Sequence, residues 1–157
     1  MKAVVVTVSD RVSRGEAEDR SGPAALAALE ALGFSPELRV VSDGIDPVVG
    51  AIRAAVADGA VLVVTTGGTG LAPRDLTPEA TESVIERPAP GISEAMRAAT
   101  FGGNPHGMLS RGVSGVIGST LVVNLPGSVA GVTEGLAVVG PALAHAVRLL
   151  TGESGGH

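Results

Sequence analysis

The chain alternates between short apolar runs and polar, glycine-rich turns, and the apolar runs carry two different periods. Residues 3–8 are Ala-Val-Val-Val-Thr-Val, a continuous and mostly β-branched run of the kind found in a strand covered on both faces. Residues 22–32 instead place Leu26, Leu29 and Leu32 on one helical face, with Pro23 early and Gly33 just past the end. A second strand is expected over 37–42, where Leu38, Val40 and Val41 are apolar. Asp43-Gly44-Ile45-Asp46-Pro47 then turns into a helix over about 47–57. The apolar run 60–66 is the third strand. Helices follow over 78–87 and 92–101, separated by the breaker Pro88-Ala89-Pro90-Gly91, and 102–107 is a loop. Two further apolar runs, 112–117 and 120–124, flank Gly118-Ser119 and read as a hairpin, or as an antiparallel strand beside a parallel one. The end of the chain carries two helices, 129–138 and 141–150, divided at Gly140-Pro141, and a frayed tail over 151–157.

Three βα units, a hairpin and closing helices imply an α/β protein: a three-layer α/β/α arrangement with a mostly parallel sheet and one antiparallel strand, in one domain over 1–150. Polar loops follow the strand ends near Ser9, Asp43, Thr66 and Asn124. If those strands are parallel, all four loops meet at one edge of the sheet, where open α/β sheets bind ligands. The richest of them is Thr65-Thr66-Gly67-Gly68-Thr69-Gly70-Leu71-Ala72-Pro73-Arg74-Asp75, which ends a buried strand and delivers a helix start at Thr77-Pro78-Glu79. Glycines let backbone N–H groups approach an anion, and a helix N-terminus adds positive potential. The loop is neither G-x-x-x-x-G-K-[ST] nor G-x-G-x-x-G, so neither common phosphate fingerprint names its ligand. Taken singly, each loop has a plainer reading. The glycines suit a bare strand-to-helix turn, Asp43 suits a turn or cap, and 10–21 suits a solvated loop with Ser21 capping the next helix. Asn124-Leu125-Pro126-Gly127-Ser128 repeats the central design of strand end, glycine turn and helix cap.

Composition narrows the function classes. The 157 residues are 45% hydrophobic and 17% charged, a globular balance. Phe34 and Phe101 are the only aromatic residues, so base-stacking platforms are lacking, and a net charge of −5 without a basic run argues against nucleic acid. The absence of cysteine excludes disulfides, a thiol nucleophile and thiolate metal sites. No signal peptide precedes the first strand and no apolar run looks long enough to cross a membrane, so a cytoplasmic protein is expected.

Several stretches together resemble the MogA/MoaB family of molybdenum cofactor biosynthesis proteins. They are Thr7-Val8-Ser9-Asp10, Asp19-Arg20-Ser21-Gly22-Pro23, Thr65 to Asp75 with Leu76-Thr77-Pro78-Glu79-Ala80-Thr81, Pro90-Gly91, Met108-Leu109-Ser110-Arg111, and Asn124-Leu125-Pro126-Gly127-Ser128. The resemblance implies a molybdopterin-binding α/β domain that assembles as a homotrimer. It also implies adenylyl transfer from Mg-ATP to the terminal phosphate of molybdopterin, releasing pyrophosphate, and a product passed to the molybdenum insertion enzyme. A MoaB-type protein that binds molybdopterin or its precursor without catalysis is the alternative.

The resemblance also assigns residues. Asp19, Asp43 and Asp75 match acidic positions on the nucleotide and Mg²⁺ side, with Asp43 and Asp75 catalytic. Ser9, Thr69, Ser110 and Asn124 match positions that hydrogen-bond the pterin and its phosphate. Asp10, Thr66, Gly67, Gly68, Gly70, Pro126, Gly127 and Ser128 complete the expected substrate-binding set. Arg11, Arg74 and Arg111 are candidates for offsetting phosphate charge, and His106 is expected to be exposed. The missing Cys and Ser/His/Asp arrangements fit this chemistry, because the nucleophile would be a phosphate oxygen of the substrate, already anionic at pH 7.

Overall fold

The structure is a computed structural model that describes residues 1–153. Six strands form one sheet: β1 (Lys2–Val8), β2 (Ser35–Val41), β3 (Leu62–Thr66), β4 (Arg87–Pro88), β5 (Ser114–Ile117) and β6 (Thr120–Leu125), in the order β2-β1-β3-β6-β5-β4. β2, β1, β3 and β6 run parallel. β5 is antiparallel to β6, and β4 to β5. The expected α/β class, the mostly parallel sheet and the hairpin at Gly118-Ser119 are all present.

The period of two in the strands divides the core. Ala3 and Val5 of β1, Leu62 and Val64 of β3, and Leu121, Val123 and Leu125 of β6 face one layer. That layer is formed by α2 (Ser21–Ala31) and α6 (Val129–Thr151), with α5 (Pro90–Ala98) packed beside α6. The intervening residues Val4, Val6, Val8, Val63 and Val122 face the opposite layer. There α3 (Ile45–Ala57) contributes Val48, Ile52 and Ala55, and α4 (Thr77–Glu82) contributes Ala80. Each fully buried valine or leucine contributes roughly 1.5–3 kcal/mol relative to exposure, so β1 and β3 anchor both layers at once.

Several expectations need correction. Residues 129–150 form one helix, not two: α6 passes through Pro141. Pro141 and Ala137 lie on the exposed side, so the carbonyl that proline leaves unpaired is open to water, while Val139 and Leu143 hold both halves to the sheet. Residues 83–87 are not helical. α4 ends at Glu82, and the chain extends so that Glu86 N–H donates to Val116 O and Ala89 N–H to Ser114 O, flanking β4. The bias of a residue before proline toward extended backbone was the available signal at Arg87. Residues 10–13, read as loop, make the single turn α1 (Asp10–Ser13), and a 3₁₀ turn, Pro105–Leu109, begins within the loop expected over 102–107 and runs past its end. Finally, α6 is long and apolar enough to cross a membrane by length and composition, with 23 residues and a mean hydropathy of 1.3. Its buried stripe, Val132, Leu136, Val139, Leu143 and Val147, belongs to the core against the sheet, and Glu134, His145 and Arg148 lie outside that stripe. Of the tail expected over 151–157, Thr151 belongs to α6, Gly152 closes the helix at φ 75, and 154–157 lie outside the described residues.

The core role of α6 predicts contrasting substitutions. Leu143→Ala, at 0% exposure, should cost about 2–5 kcal/mol in a denaturant melt. Val138→Ala, at 43%, should stay within about 0.5 kcal/mol. Equal effects would remove the assignment of that face.

Candidate functional site

The registers Val8↔Val41, Thr7↔Thr66 and Thr66↔Leu125 end the four parallel strands together, so their loops share one edge. A cleft of about 510 Å³ opens there. Ser9 and Val12 line it from the first loop, Asp19 and Ser21 from the start of α2, Asp43 from the second loop, Thr66, Gly67, Gly68 and Asp75 from the central loop, and Gly127, Ser128 and Val129 from the last. Another hollow, about 680 Å³ around Lys2, Phe34 and Glu37, includes none of the expected site residues.

Gly67 is required by space as well as conformation. Its φ is 97°, and a Cβ would run into Val8 O. Its N–H donates to Leu125 O at 3.2 Å, so the loop is wedged between the ends of β1 and β6. Gly68, at φ 66°, lies against the Thr77 hydroxyl and beside Asp43 Oδ1.

The three aspartates differ in what they hold. Asp19 is spent on structure: Oδ1 accepts from Gly22 N–H at 2.9 Å and Oδ2 from the Thr7 hydroxyl at 2.7 Å. This carboxylate serves the N-terminus of α2, the role expected of Ser21. The Ser21 hydroxyl instead sits 2.5 Å from that of Thr66. Asp43 Oδ2 accepts from Asp10 N–H at 2.8 Å, and Asp10 Oδ1 accepts from Asp43 N–H at 3.2 Å, a reciprocal bracket tying the β1 loop to the β2 loop. Asp43 Oδ1 accepts from no described residue. Asp75 Oδ2 accepts from Ala72 N–H at 3.1 Å, and its Oδ1 likewise accepts nothing.

Two of the candidate arginines are already paired. Arg74 donates to Asp10 Oδ2 at 2.5 Å and Oδ1 at 3.0 Å, and to Asp43 O at 3.0 Å. The Arg74 hydrogen bond holds the Asp10 carboxyl below its ordinary range, and Asp10 raises the guanidinium in turn. Arg111 pairs with Glu79, whose carboxyl is lowered by that bond, and also donates to the carbonyls of Gly70 and Asp75. Glu18, Asp19, Asp43 and Asp75 all line the cleft, with Arg20 as the one cation among the lining residues. Arg20 itself pairs with Glu18 at 3.3 Å.

Other expected site residues lie outside the cleft lining. Asn124 is 1% exposed and does not face the cleft. Its Nδ2 donates to the hydroxyls of Thr65 at 2.9 Å and Thr81 at 3.0 Å, and its Oδ1 accepts from Val113 N–H at 3.1 Å. Direct hydrogen bonding to a ligand, expected from its position, would need those bonds to break. Asp10, Thr69, Gly70, Ser110 and Pro126 also lie outside the lining. Thr69 is buried, Pro126 packs beside Gly131, and Ser110 Oγ accepts weakly from Gly112 N–H at 3.4 Å. Ser9 and Ser128 line the cleft and also cap α1 and α6, accepting from Val12 N–H and Gly131 N–H. Thr77, expected as a helix cap, instead donates its hydroxyl to Gly67 O. The lining residues Val12, Glu18 and Val129 lie outside the family motifs, and Thr7, within Thr7-Val8-Ser9-Asp10, was not among the expected site residues. Thr7, the last polar residue of an otherwise apolar strand, was the one with a readable signal.

The class is thus an open, mostly parallel α/β protein with a cleft at the carboxyl ends of its strands, where proteins of this class bind ligands. Residues 4–145 match the model of a probable molybdopterin binding domain. The chain is 40% identical over 157 residues to gephyrin of Dictyostelium discoideum, covering 93% of this chain but only 22% of that protein. It is 39% identical over 152 residues to the molybdopterin adenylyltransferase of Helicobacter pylori, covering 94% of this chain and 86% of that one. Among solved structures, MogA superposes with a TM-score of 0.92 at 42% identity, over 96% of this chain and 99% of the other. The molybdopterin biosynthesis enzyme MoaB of Thermus thermophilus gives 0.91, also at 42% identity, over 96% of each chain. The chain belongs to the MogA/MoaB family of molybdenum cofactor biosynthesis proteins.

Asn124 generates the prediction for this site. Asn124→Ala leaves the Val113 N–H without its side-chain acceptor and two buried threonine hydroxyls without their donor, so stability should fall by about 2–3 kcal/mol in a urea titration. A variant with unchanged stability and a lower ligand affinity would put the amide in the cleft instead.

Proposed function

We propose that this chain binds molybdopterin in the strand-end cleft and transfers the adenylyl group of ATP to its terminal phosphate. The observation that carries the reading is the charge of the cleft. Four carboxylates line it against one paired arginine, yet family membership points to phosphorylated ligands. Anions enter an acidic cleft when a divalent cation stands between them and the carboxylates. The residues present suit Mg²⁺, a hard ion that takes one or two carboxylates together with substrate phosphates and water. Asp43 and Asp75 would hold it through their free Oδ1 atoms, whereas Asp19 is committed to Thr7 and Gly22. Among the described residues no group of three acidic or histidine side chains forms a cage, so the substrate phosphates would supply the remaining ligands. When bound, Mg²⁺ would neutralise charge building on the phosphates of the nucleotide.

In this reaction an oxygen of the molybdopterin phosphate attacks the α-phosphorus of ATP. A new phosphoanhydride bond forms, the bond between the α-phosphorus and its bridging oxygen breaks, and pyrophosphate leaves. The nucleophile is already ionised, so the chain supplies position and electrostatics rather than a base. Asp10 and Arg74 keep Asp43 in place through the bracket between the first two loops. The names of relatives such as the Helicobacter pylori adenylyltransferase support this activity. We further propose a homotrimer, for which a monodisperse monomer in light scattering at micromolar concentration would be the contrary result.

The deciding experiment is pyrophosphate release with ATP, Mg²⁺ and molybdopterin. Binding of molybdopterin without release would leave a binding protein in place of the enzyme. Asp75→Asn keeps an acceptor for Ala72 N–H but loses the charge, so it should retain fold and pterin affinity. Its single-turnover rate should fall about a hundredfold or more, the equivalent of several kcal/mol of metal-dependent stabilisation. Near-normal turnover in a well-folded variant would make Asp75 structural.

A further inference from the structure

Residues 71–74 are exposed one after another, and the next residue is Asp75. Burial anchors none of the four, so polar contacts decide the shape of the arc from 70 to 75. Arg111 Nε donates to Gly70 O at 2.8 Å and Arg111 Nη2 to Asp75 O at 2.6 Å, so one guanidinium closes the arc at both ends. Within it, Asp75 N–H donates to Ala72 O at 2.9 Å, and Asp75 Oδ2 accepts from Ala72 N–H at 3.1 Å. With Oδ2 pinned in this way, the backbone at 75 sets where Oδ1 points. Arg111 is itself fixed from three sides. Its Nη1 donates to Glu79 of α4, and its own N–H donates to Thr69 O at 2.8 Å. Arg97 of α5 donates to Gly112 O at 2.8 Å and so holds the residue that follows. Asp43 is kept by a separate set, Asp10 and Arg74.

We infer that Arg111, fixed by Glu79, is a positioning residue that sets the direction of the Asp75 carboxylate and touches neither phosphate nor metal. This rests on the reading of Asp43 and Asp75 as holders of a divalent cation. It replaces the charge-offset role expected of Arg111, and the two roles predict opposite signs. Removing a positive charge beside a cation site strengthens cation binding if charge is all that matters. If Arg111 instead aims a ligand of that cation, its removal weakens binding. Arg111→Met makes this comparison. Arg111→Lys keeps the charge, but a single ammonium cannot reproduce the fork that spans Gly70 O, Asp75 O and Glu79. Glu79→Ala leaves the guanidinium and takes away its anchor, at a partly exposed position in the first turn of α4 where little packing is lost.

The test uses the full chain and two NMR readouts. The first is broadening of the Asp43 and Asp75 backbone amides by Mn²⁺ alone, a paramagnetic ion that takes the same oxygen ligands as Mg²⁺. The second needs no metal: the hydrogen exchange rate of Asp75 N–H, compared with that of Val64 in β3. In the wild type, Mn²⁺ should broaden both aspartate amides. Arg111→Lys and Arg111→Met should each need about tenfold more Mn²⁺, on the scale of one lost hydrogen bond to a charged group. In both variants Asp75 N–H should exchange about tenfold faster while Val64 is unchanged, which reports local opening of the arc. A merely structural role would lower the melting temperature and leave the Mn²⁺ response of the folded chain as it was; that result, or tighter Mn²⁺ binding by Arg111→Met, would overturn the positioning role. Should the Arg111 variants fail to fold, Glu79→Ala carries the test through the exchange readout, and wild-type exchange there would overturn the proposal. Faster Asp75 exchange in the variants, with no Mn²⁺ broadening in the wild type, would sink the metal reading and leave Arg111 as the holder of Asp75.

Discussion

Everything at the candidate site depends on one pairing: β1, β3 and β6 lie parallel, side by side, and are buried on both faces. Strands of that kind hold polar side chains only where these pair within the protein, as Thr65 and Asn124 do. The chain first meets water just past their last residues, at Ser9, Gly68 and Pro126, and the register brings Thr7, Thr66 and Leu125 to the same level. The cleft is therefore a consequence of how the core is closed. The wedge of Gly67 between Val8 O and Leu125 O shows how tightly the ends are drawn together, since no side chain fits there.

Behind the cleft wall, polar groups are satisfied by one another rather than by solvent. Asn124 joins β6, β3, α4 and the chain at Val113, Thr81 returns its hydroxyl to Thr77 O, and Thr77 secures Gly67. Among the described residues no buried side-chain nitrogen or oxygen lacks a partner. In a low-dielectric interior a satisfied network of this kind is rigid, and each missing member costs the desolvation of those left behind. Rigidity of the wall is what lets a glycine-rich loop, flexible by composition, hold a single shape.

The electrostatics divide the same way. Two of the three arginines that could have met phosphate directly, Arg74 and Arg111, are tied to Asp10 and Glu79, and the carboxylate oxygens without a described donor belong to Asp43 and Asp75. Such a cleft favours backbone amides and a cation over side-chain positive charge for holding anions.

The sequence by itself determined the class of fold, because β-branched runs with period two and leucine stripes with helical spacing are local signals. It also showed which loops would matter, since glycines and polar residues at strand ends stand out against apolar runs. Family motifs then placed Asp43, Asp75, Gly67, Gly68, Gly127 and Ser128 among the candidates, and all six line the cleft. What lay beyond reach was direction. Whether Asn124 faces a ligand or a threonine pair, whether Asp19 has a free oxygen, and whether Arg111 meets a phosphate or four partners of its own depend on neighbours 12 to 59 residues away. Pro141 made the same point in the helices: locally it reads as a stop, yet Val139 and Leu143 keep α6 on the sheet because burying them outweighs one lost backbone hydrogen bond. Composition and periodicity record what a residue can do, and only the packing of the sheet's two layers decided which partner each one took.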